Sequence, residues 1–167
     1  ISKAKFIHLH PASRWSFKCW SATQTAQLID QFGQRGETVV ITGAPSSEER
    51  ELVDAILSRC KTSPVDLSGK LSLSALAALA ARAKLFVGVD SAPMHIAAAM
   101  GTPVVALFGP SGDKEWGPWM VPHRVIASRA HPCRPCGRDG CGGGKVSDCL
   151  ETLTALEVLA AAESLIA

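Results

Sequence analysis

Lys84–Gly112 reads KLFVGVDSAPMHIAAAMGTPVVALFGPSG. Leu85–Val89 and Val104–Phe108 are short, Val-containing apolar runs bounded by turn signals, which predicts two buried strands. Between them, Pro93–Met100 is Ala-rich and is followed by Gly101, the pattern of a short helix with a glycine stop. The order is therefore strand, polar turn, helix, strand. The turn carries Asp90 and Ser91, with His95 one helical turn further on. In open α/β sheets, ligands sit at the carboxyl ends of the strands, where such turns lie.

The same alternation runs outward in both directions. Phe6–His10 predicts a first strand, and a helix follows from about Thr23 to Arg35, with Ala26, Leu28, Ile29 and Phe32 on one side and Gly36 at its end. Thr38–Thr42 predicts the next strand. Ser46 or Ser47 caps a helix to about Cys60, with Glu48, Glu49 and Glu51 near its start, where carboxylates favour the helix dipole. Val65–Leu67, a helix ending near Ala83, Arg124–Ala127 and a last amphipathic helix from about Thr154 to Ile166 complete the set. Strands alternating with helices predict an α/β fold, a parallel sheet with helices on both faces.

The length of 167 residues suits one domain, 1–167, with a sizeable core. A net charge of +2 from dispersed basic residues points to no nucleic-acid partner. No signal-peptide pattern is present. No apolar run is long enough to span a bilayer, because Arg82 and Lys84 interrupt the Ala-rich stretch around Ala75–Ala83. The start at Ile1, on a segment that soon becomes a strand, leads us to expect part of a longer protein.

The turns after successive strands should gather at one sheet edge. They bring together Ser13, Arg14, Lys18, Gly43, Ala44, Gly69, Asp90, Ser91, His95, Gly109, Pro110 and Ser111. This set suits a phosphorylated ligand. Arg14 and Lys18 offer charge and Ser13 a hydroxyl. The helix after Ser91 offers backbone N–H groups and a positive dipole end. Gly43 and Gly109 permit close backbone approach. Asp90, a poor neighbour for phosphate, suits sugar hydroxyls or the adjacent backbone. Each element also has a plainer reading: Asp90 and Ser91 as helix caps, His95 as a packed histidine, Arg14 and Lys18 as surface charges. No P-loop and no G-x-G-x-x-G pattern occurs. From pattern alone, this is an α/β domain that binds a small phosphorylated or nucleotide ligand.

The run from Gly88 through Asp90-Ser91-Ala92-Pro93-Met94-His95 to Pro103, continuing to Leu107–Ser111, resembles the signature of glycosyltransferase family 9, the ADP-heptose:lipopolysaccharide heptosyltransferases. The turn His10–Trp20 resembles that family's donor-diphosphate loop, and its Arg-Trp-x-Phe-Lys-x-Trp wording is closest to the heptosyltransferase III branch. The resemblance implies the C-terminal, Rossmann-like, donor-binding half of a two-domain GT-B glycosyltransferase. It implies that Ser13 and Lys18 meet the diphosphate of ADP-heptose, with Arg14 beside them in the same loop, and that Leu71, Ser72 and Leu73 run along the adenine. Asp90 would meet the heptose, Ser91 and Ala92 the phosphates, and His95 would support the turn. Gly43, Ala44 and the residues after them would lie near the ribose, with Ser47 or Glu48 closest to the position where the family often has an acidic residue. Ala92 stands where the family commonly has glycine.

The implied reaction is inverting transfer of heptose to the inner core of lipopolysaccharide. Lys18 would stabilise the departing diphosphate. The family's general base and acceptor site belong to an N-terminal domain outside this chain, so the chain by itself is expected to be inactive. The resemblance implies no cofactor for catalysis, a cytoplasmic location at the inner face of the inner membrane, and peripheral membrane contact by the full-length protein. A related sugar-nucleotide enzyme using UDP is the alternative within the same fold.

Cys133-x2-Cys136-x4-Cys141-x7-Cys149, in a Gly-rich loop at 131–149 that also holds His131, has spacing compatible with a structural zinc site. Reduced thiols, or a disulfide formed on isolation, are the alternative. A zinc-binding interaction module is the reading that this cluster would support by itself. Cys19 and Cys60 are read as incidental. Trp116 and Trp119 are read as packing residues, with lining of the cleft as the alternative.

Overall fold

The computed structural model describes residues 6–166. Strands β1 (Ile7–His10), β2 (Val39–Ile41), β3 (Val65–Asp66), β4 (Leu85–Val89), β5 (Val104–Phe108) and β6 (His123–Ala127) form one sheet in the order β3-β2-β1-β4-β5-β6. Every pairing is parallel. The connections run through α1 (Ala22–Gln34), α2 (Ser47–Leu57), α3 (Leu73–Ala80), α4 (Ala92–Ala99) and α5 (Asp113–Trp116), and the chain ends on α6 (Asp148–Glu151) and α7 (Ala155–Ile166). This is the Rossmann-like strand order. It reverses direction between β1 and β4, which opens a crevice at their carboxyl ends.

The period-two alternation of the strands divides the core into two layers. Leu85, Val87 and Val89 of β4 face the layer that holds Leu28, Ile29 and Phe32 of α1, Val53 and Ile56 of α2, and Val158 and Ala162 of α7. Phe86 faces the other layer, with Val104, Ala106 and Phe108 of β5, Met94 and Ala97 of α4, and Ala80 of α3. On this second face β1 presents His8 and His10, which are 0% and 4% exposed. His8 stands opposite Phe86 in register and meets its ring edge-on at 4.9 Å. His10 stands opposite Gly88. A Cβ at Gly88 would lie 2.7 Å from the His10 carbonyl oxygen and 2.7 Å from the Phe86 ring, so the β1–β4 seam closes only around a glycine.

The strands and long helices follow the sequence expectation. Four short pieces do not: α5, α6 and 3-10 turns at Ser16–Lys18 and Cys141–Gly143. Each has three or four residues, too few for a helical period to show. None of the helices among the described residues is long and apolar enough to cross a membrane.

Candidate functional site

A cavity of about 660 Å³ opens at the carboxyl edge of the sheet. Ser13, Arg14, Lys18, Gly43, Ala44, Leu71, Ser72, Leu73, Asp90, Ser91, Ala92 and His95 all border it. The fold therefore brings these twelve residues of the donor reading to one cavity. His10, Trp15, Thr42, Glu49 and Trp116 border it as well, and the sequence reading assigned none of them a ligand role, apart from noting that Trp116 could line the cleft.

The loop after β1 is fixed from several sides. Its 3-10 turn is closed by Lys18 N donating to Trp15 O at 2.9 Å and Cys19 N to Ser16 O at 3.0 Å. The Ser13 amide donates to Cys19 Sγ at 3.3 Å, and the thiol returns a contact to Ser13 O at 3.5 Å. Burial pushes the Cys19 thiol up to about 11, so it stays protonated near neutral pH. Cys19 thus holds the Ser13 turn, which corrects its reading as incidental. From outside the loop, Ser147 Oγ donates to Phe17 O at 2.7 Å and Trp20 Nε1 to Leu153 O at 3.1 Å. Trp15, 52% exposed, stacks on Phe17 with ring centres 6.0 Å apart and has the Arg14 guanidinium 5.5 Å from its ring centre.

Lys18 Nζ donates to Asp90 Oδ2 at 2.6 Å, joining the loop after β1 to the turn after β4. Asp90 is 8% exposed. Neither Asp90 nor Ser91 caps α4 through its side chain. Ser91 occupies the N-cap position without a cap hydrogen bond, and its hydroxyl donates instead to Val89 O at 3.3 Å. The capping interpretation fails because Lys18 claims the carboxylate and the preceding turn claims the hydroxyl. The positive end of α4 is thereby left facing the cavity with a cation beside it. His95 is exposed at the cavity and makes no hydrogen bond among the described residues, so it is not the packed histidine of the plainer reading.

Opposite this corner, a polar chain crosses the strand ends. Thr42 Oγ1 lies 2.8 Å from His8 Nε2 and 2.8 Å from His10 Nδ1. His10 Nε2 is 3.8 Å from Glu49 Oε2, which accepts from the Ala44 amide at 2.7 Å. Burial lowers the His8 pKa to about 4. Burial and then the neighbouring His8 lower that of His10 to about 3. Both imidazoles are neutral near pH 7, so the His10–Glu49 approach is a dipole–charge contact rather than an ion pair. Glu49, 8% exposed, borders the cavity, whereas the Ser47 and Glu48 expected near a ribose do not.

Gly109 does not face the ligand either: a Cβ there would fall 2.6 Å from Leu150, so its role is packing against α6. Pro110 and Ser111 border a neighbouring cavity, with Gly112, Trp116 and Cys136, on the other side of Lys18. Trp119 is 78% exposed and is not a packing residue among the described residues.

The four-cysteine expectation is not met as drawn. Cys133, Cys136 and Cys141 are exposed and Cys149 is buried; all are free thiols. Among the described residues no group of three or more His, Cys, Asp or Glu converges on a metal position. The loop is held otherwise, by Arg134 Nε donating to Gly109 O at 2.5 Å and Arg134 Nη2 to Asp113 at 3.4 Å. The cysteines thus give no support to a zinc module.

Residues 2–146 match the family model described as glycosyltransferase family 9 (heptosyltransferase). The chain is 44% identical over 118 residues to lipopolysaccharide heptosyltransferase 3 of Escherichia coli K12, which covers 70% of this chain and 34% of that protein. It superimposes on the Veillonella parvula glycosyl transferase family 9 structure with a TM-score of 0.82 at 28% identity, covering 99% of this chain and 47% of the other. The Escherichia coli ADP-heptose lps heptosyltransferase II structure gives 0.81 at 27% identity, with the same coverages. The chain thus spans about a third of that curated relative and just under half of each solved structure. The chain belongs to glycosyltransferase family 9, the heptosyltransferases.

Proposed function

We propose that this chain is the donor-binding half of an inverting heptosyltransferase that moves heptose from ADP-heptose to the inner core of lipopolysaccharide. The observation that carries the reading is the corner where Lys18 reaches Asp90 at 2.6 Å beside the uncapped start of α4. A diphosphate fits there, between an ammonium and a helix N-terminus. As the glycosidic bond to ADP breaks, negative charge grows on the leaving diphosphate, and these two groups stabilise it. Asp90 accepts from hydroxyls of the sugar, and Ser13 and Arg14 complete the phosphate side. Leu71, Ser72 and Leu73 form the apolar and backbone wall suited to a base, and Glu49, rather than Ser47 or Glu48, stands on the ribose side.

The names of the similar proteins support heptose as the transferred sugar and lipopolysaccharide as the acceptor. The general base and the acceptor site then belong to a further domain of the full-length enzyme. On this reading, with a lipid-linked acceptor, the full-length enzyme works at the cytoplasmic face of the inner membrane. Calorimetric titration of the chain with ADP, ADP-heptose and UDP tests the proposal. Saturable binding of ADP and ADP-heptose, with UDP weaker, is expected. Tighter binding of UDP would favour the other sugar-nucleotide reading, and no saturable binding at millimolar ADP would end the donor-site assignment.

A further inference from the structure

We propose that His8, Thr42 and His10 are positioning residues that hold Glu49 as a hydrogen-bond acceptor, so that the cavity selects a nucleoside sugar with free hydroxyls at that wall and rejects one carrying a phosphate there. The inference rests on the nucleotide reading above and concerns how the site tells one nucleotide from another.

The argument begins with a single proton. Thr42 Oγ1 is 2.8 Å from a ring nitrogen of each histidine, but a hydroxyl donates only once. Thr42 therefore donates to at most one imidazole. If both donated to it, its own proton would have no acceptor among the described residues and His10 Nε2 would turn a bare lone pair to Glu49. One imidazole thus accepts from Thr42 and the other donates to it. If Thr42 donated to His8 Nε2, the His8 proton would sit on Nδ1. That atom is buried and has no partner among the described residues, and a buried N–H without an acceptor is the more costly orphan. The same arrangement would aim the bare lone pair of His10 Nε2 at the Glu49 carboxylate 3.8 Å away. The opposite arrangement removes both faults. His8 Nε2–H donates to Thr42, and Thr42 donates to His10 Nδ1. His10 Nε2–H then points its positive end at Glu49, and only an acceptor lone pair on His8 Nδ1 stays unpaired. Both histidines are thus fixed as the Nε2–H tautomer, and every dipole in the chain points its positive end toward Glu49.

Glu49 also accepts from the Ala44 amide at 2.7 Å through Oε2. Its Oε1 makes no hydrogen bond among the described residues, and the residue borders the cavity. An ionised carboxylate accepts and never donates. The ligand groups that satisfy it are O–H donors such as the hydroxyls of an unmodified ribose. A phosphate at the same place would meet like charge. A sugar lacking the hydroxyls would leave the acceptor dry and unpaired, which discriminates strongly.

Two measurements test the proposal. The first needs no ligand: long-range ¹⁵N–¹H spectra of the imidazoles of the full 167-residue chain near neutral pH. His8 and His10 are both expected as neutral Nε2–H tautomers. An Nδ1–H tautomer or an imidazolium at either position would overturn the proposal. The second compares ADP, 2′,3′-dideoxy-ADP and ADP bearing a 2′-phosphate on the wild type, Glu49→Gln, Thr42→Val and Thr42→Ser. The wild type should favour ADP over both analogues by about tenfold or more. Glu49→Gln should erase most of the bias against the 2′-phosphate. Thr42→Val should lose ADP affinity roughly fivefold and weaken both preferences, while Thr42→Ser, which keeps the hydroxyl, should behave within about twofold of the wild type. Unchanged preferences in Glu49→Gln, or Thr42→Val indistinguishable from Thr42→Ser, would refute it. If Thr42→Val does not fold, the wild-type spectrum and the Glu49→Gln series still decide. Failure of the wild type to bind ADP at all would instead count against the nucleotide reading, and the ligand-free spectrum would still decide whether the relay exists.

Discussion

Lys18 and Asp90 come from loops 72 residues apart and meet at 2.6 Å, so neither can be altered without changing the other. Lys18→Ala removes a charge-assisted contact to the diphosphate and leaves Asp90 unpaired beside it. A contact of that kind contributes about 1.5–3 kcal/mol. ADP affinity should therefore fall about ten- to hundredfold, as read by calorimetry. Asp90→Ala has the opposite electrostatic sense for the phosphates. It should leave ADP affinity within about threefold of the wild type and weaken ADP-heptose by about tenfold, because only the latter offers sugar hydroxyls to the lost carboxylate. In the double variant, part of the ADP loss of Lys18→Ala should return, since the unpaired carboxylate is gone. Equal losses of both ligands in Asp90→Ala would mean that Asp90 only holds the turn. Asp90 was legible in the sequence because it stands directly after an unmistakable strand. Glu49 was not, because Ser46-x-x-Glu49 has the form of a capping box. Half of that box is present: Ser46 Oγ accepts from the Glu49 amide at 3.3 Å. The carboxylate, however, passes Ser46 and takes the Ala44 amide, which points it toward the ligand side. His8 and His10 were hidden for a different reason, as their shared partner Thr42 lies on a neighbouring strand end 34 and 32 residues away.

At the scale of elements, strand and helix identities could be read because buried parallel strands appear as short apolar runs and the long helices show their period. The seam between β1 and β4 could not, because it depends on which residues stand opposite each other. Gly88 inside a strand run carries that information only once His10 is known to be its neighbour. This gives an expectation for the sheet. In Gly88→Ala the new methyl meets the His10 carbonyl, a backbone atom that cannot rotate away. The two strands must separate or shift, at a cost of about 1–3 kcal/mol or more. For a chain of this size that lowers the melting temperature by about 2–4 °C for each kcal/mol. Because β1 and β4 carry the two halves of the site, ADP affinity should fall with it. Gly36→Ala offers the comparison: Gly36 has a φ of +75°, but apart from its chain neighbours no atom of the described residues lies within 4 Å of a Cβ placed there. It should cost about 1 kcal/mol by backbone strain alone and leave ADP binding unchanged. Wild-type stability in Gly88→Ala would show that the seam yields.

For the whole molecule, the two buried histidines couple folding to pH. In the unfolded chain each imidazole titrates near 6.5; in the fold burial depresses them to about 4 and about 3. A histidine with a depressed folded pKa costs nothing above the unfolded value. As pH falls below 6.5 the unfolded chain takes up protons that the folded chain refuses, so stability falls with pH until the folded values are reached. Each such group changes the unfolding free energy by about 1.4 kcal/mol per pH unit inside that window. From about pH 7.5 to about pH 5 the two together should lower stability by about 4 kcal/mol. The carboxylates with lowered pKa values, Glu48, Asp66 and Glu157, also destabilise the fold in acid. Their loss begins as pH falls to the ordinary carboxylate values of the unfolded chain and continues below them, so it falls mostly outside this interval. Urea unfolding at the two pH values reads the difference directly. His8→Leu removes one titrating group, keeps the buried volume apolar and should roughly halve the slope. A stability that stays flat between these pH values would mean that His8 and His10 reach solvent, and it would remove the basis for the neutral His8–Thr42–His10 relay behind Glu49.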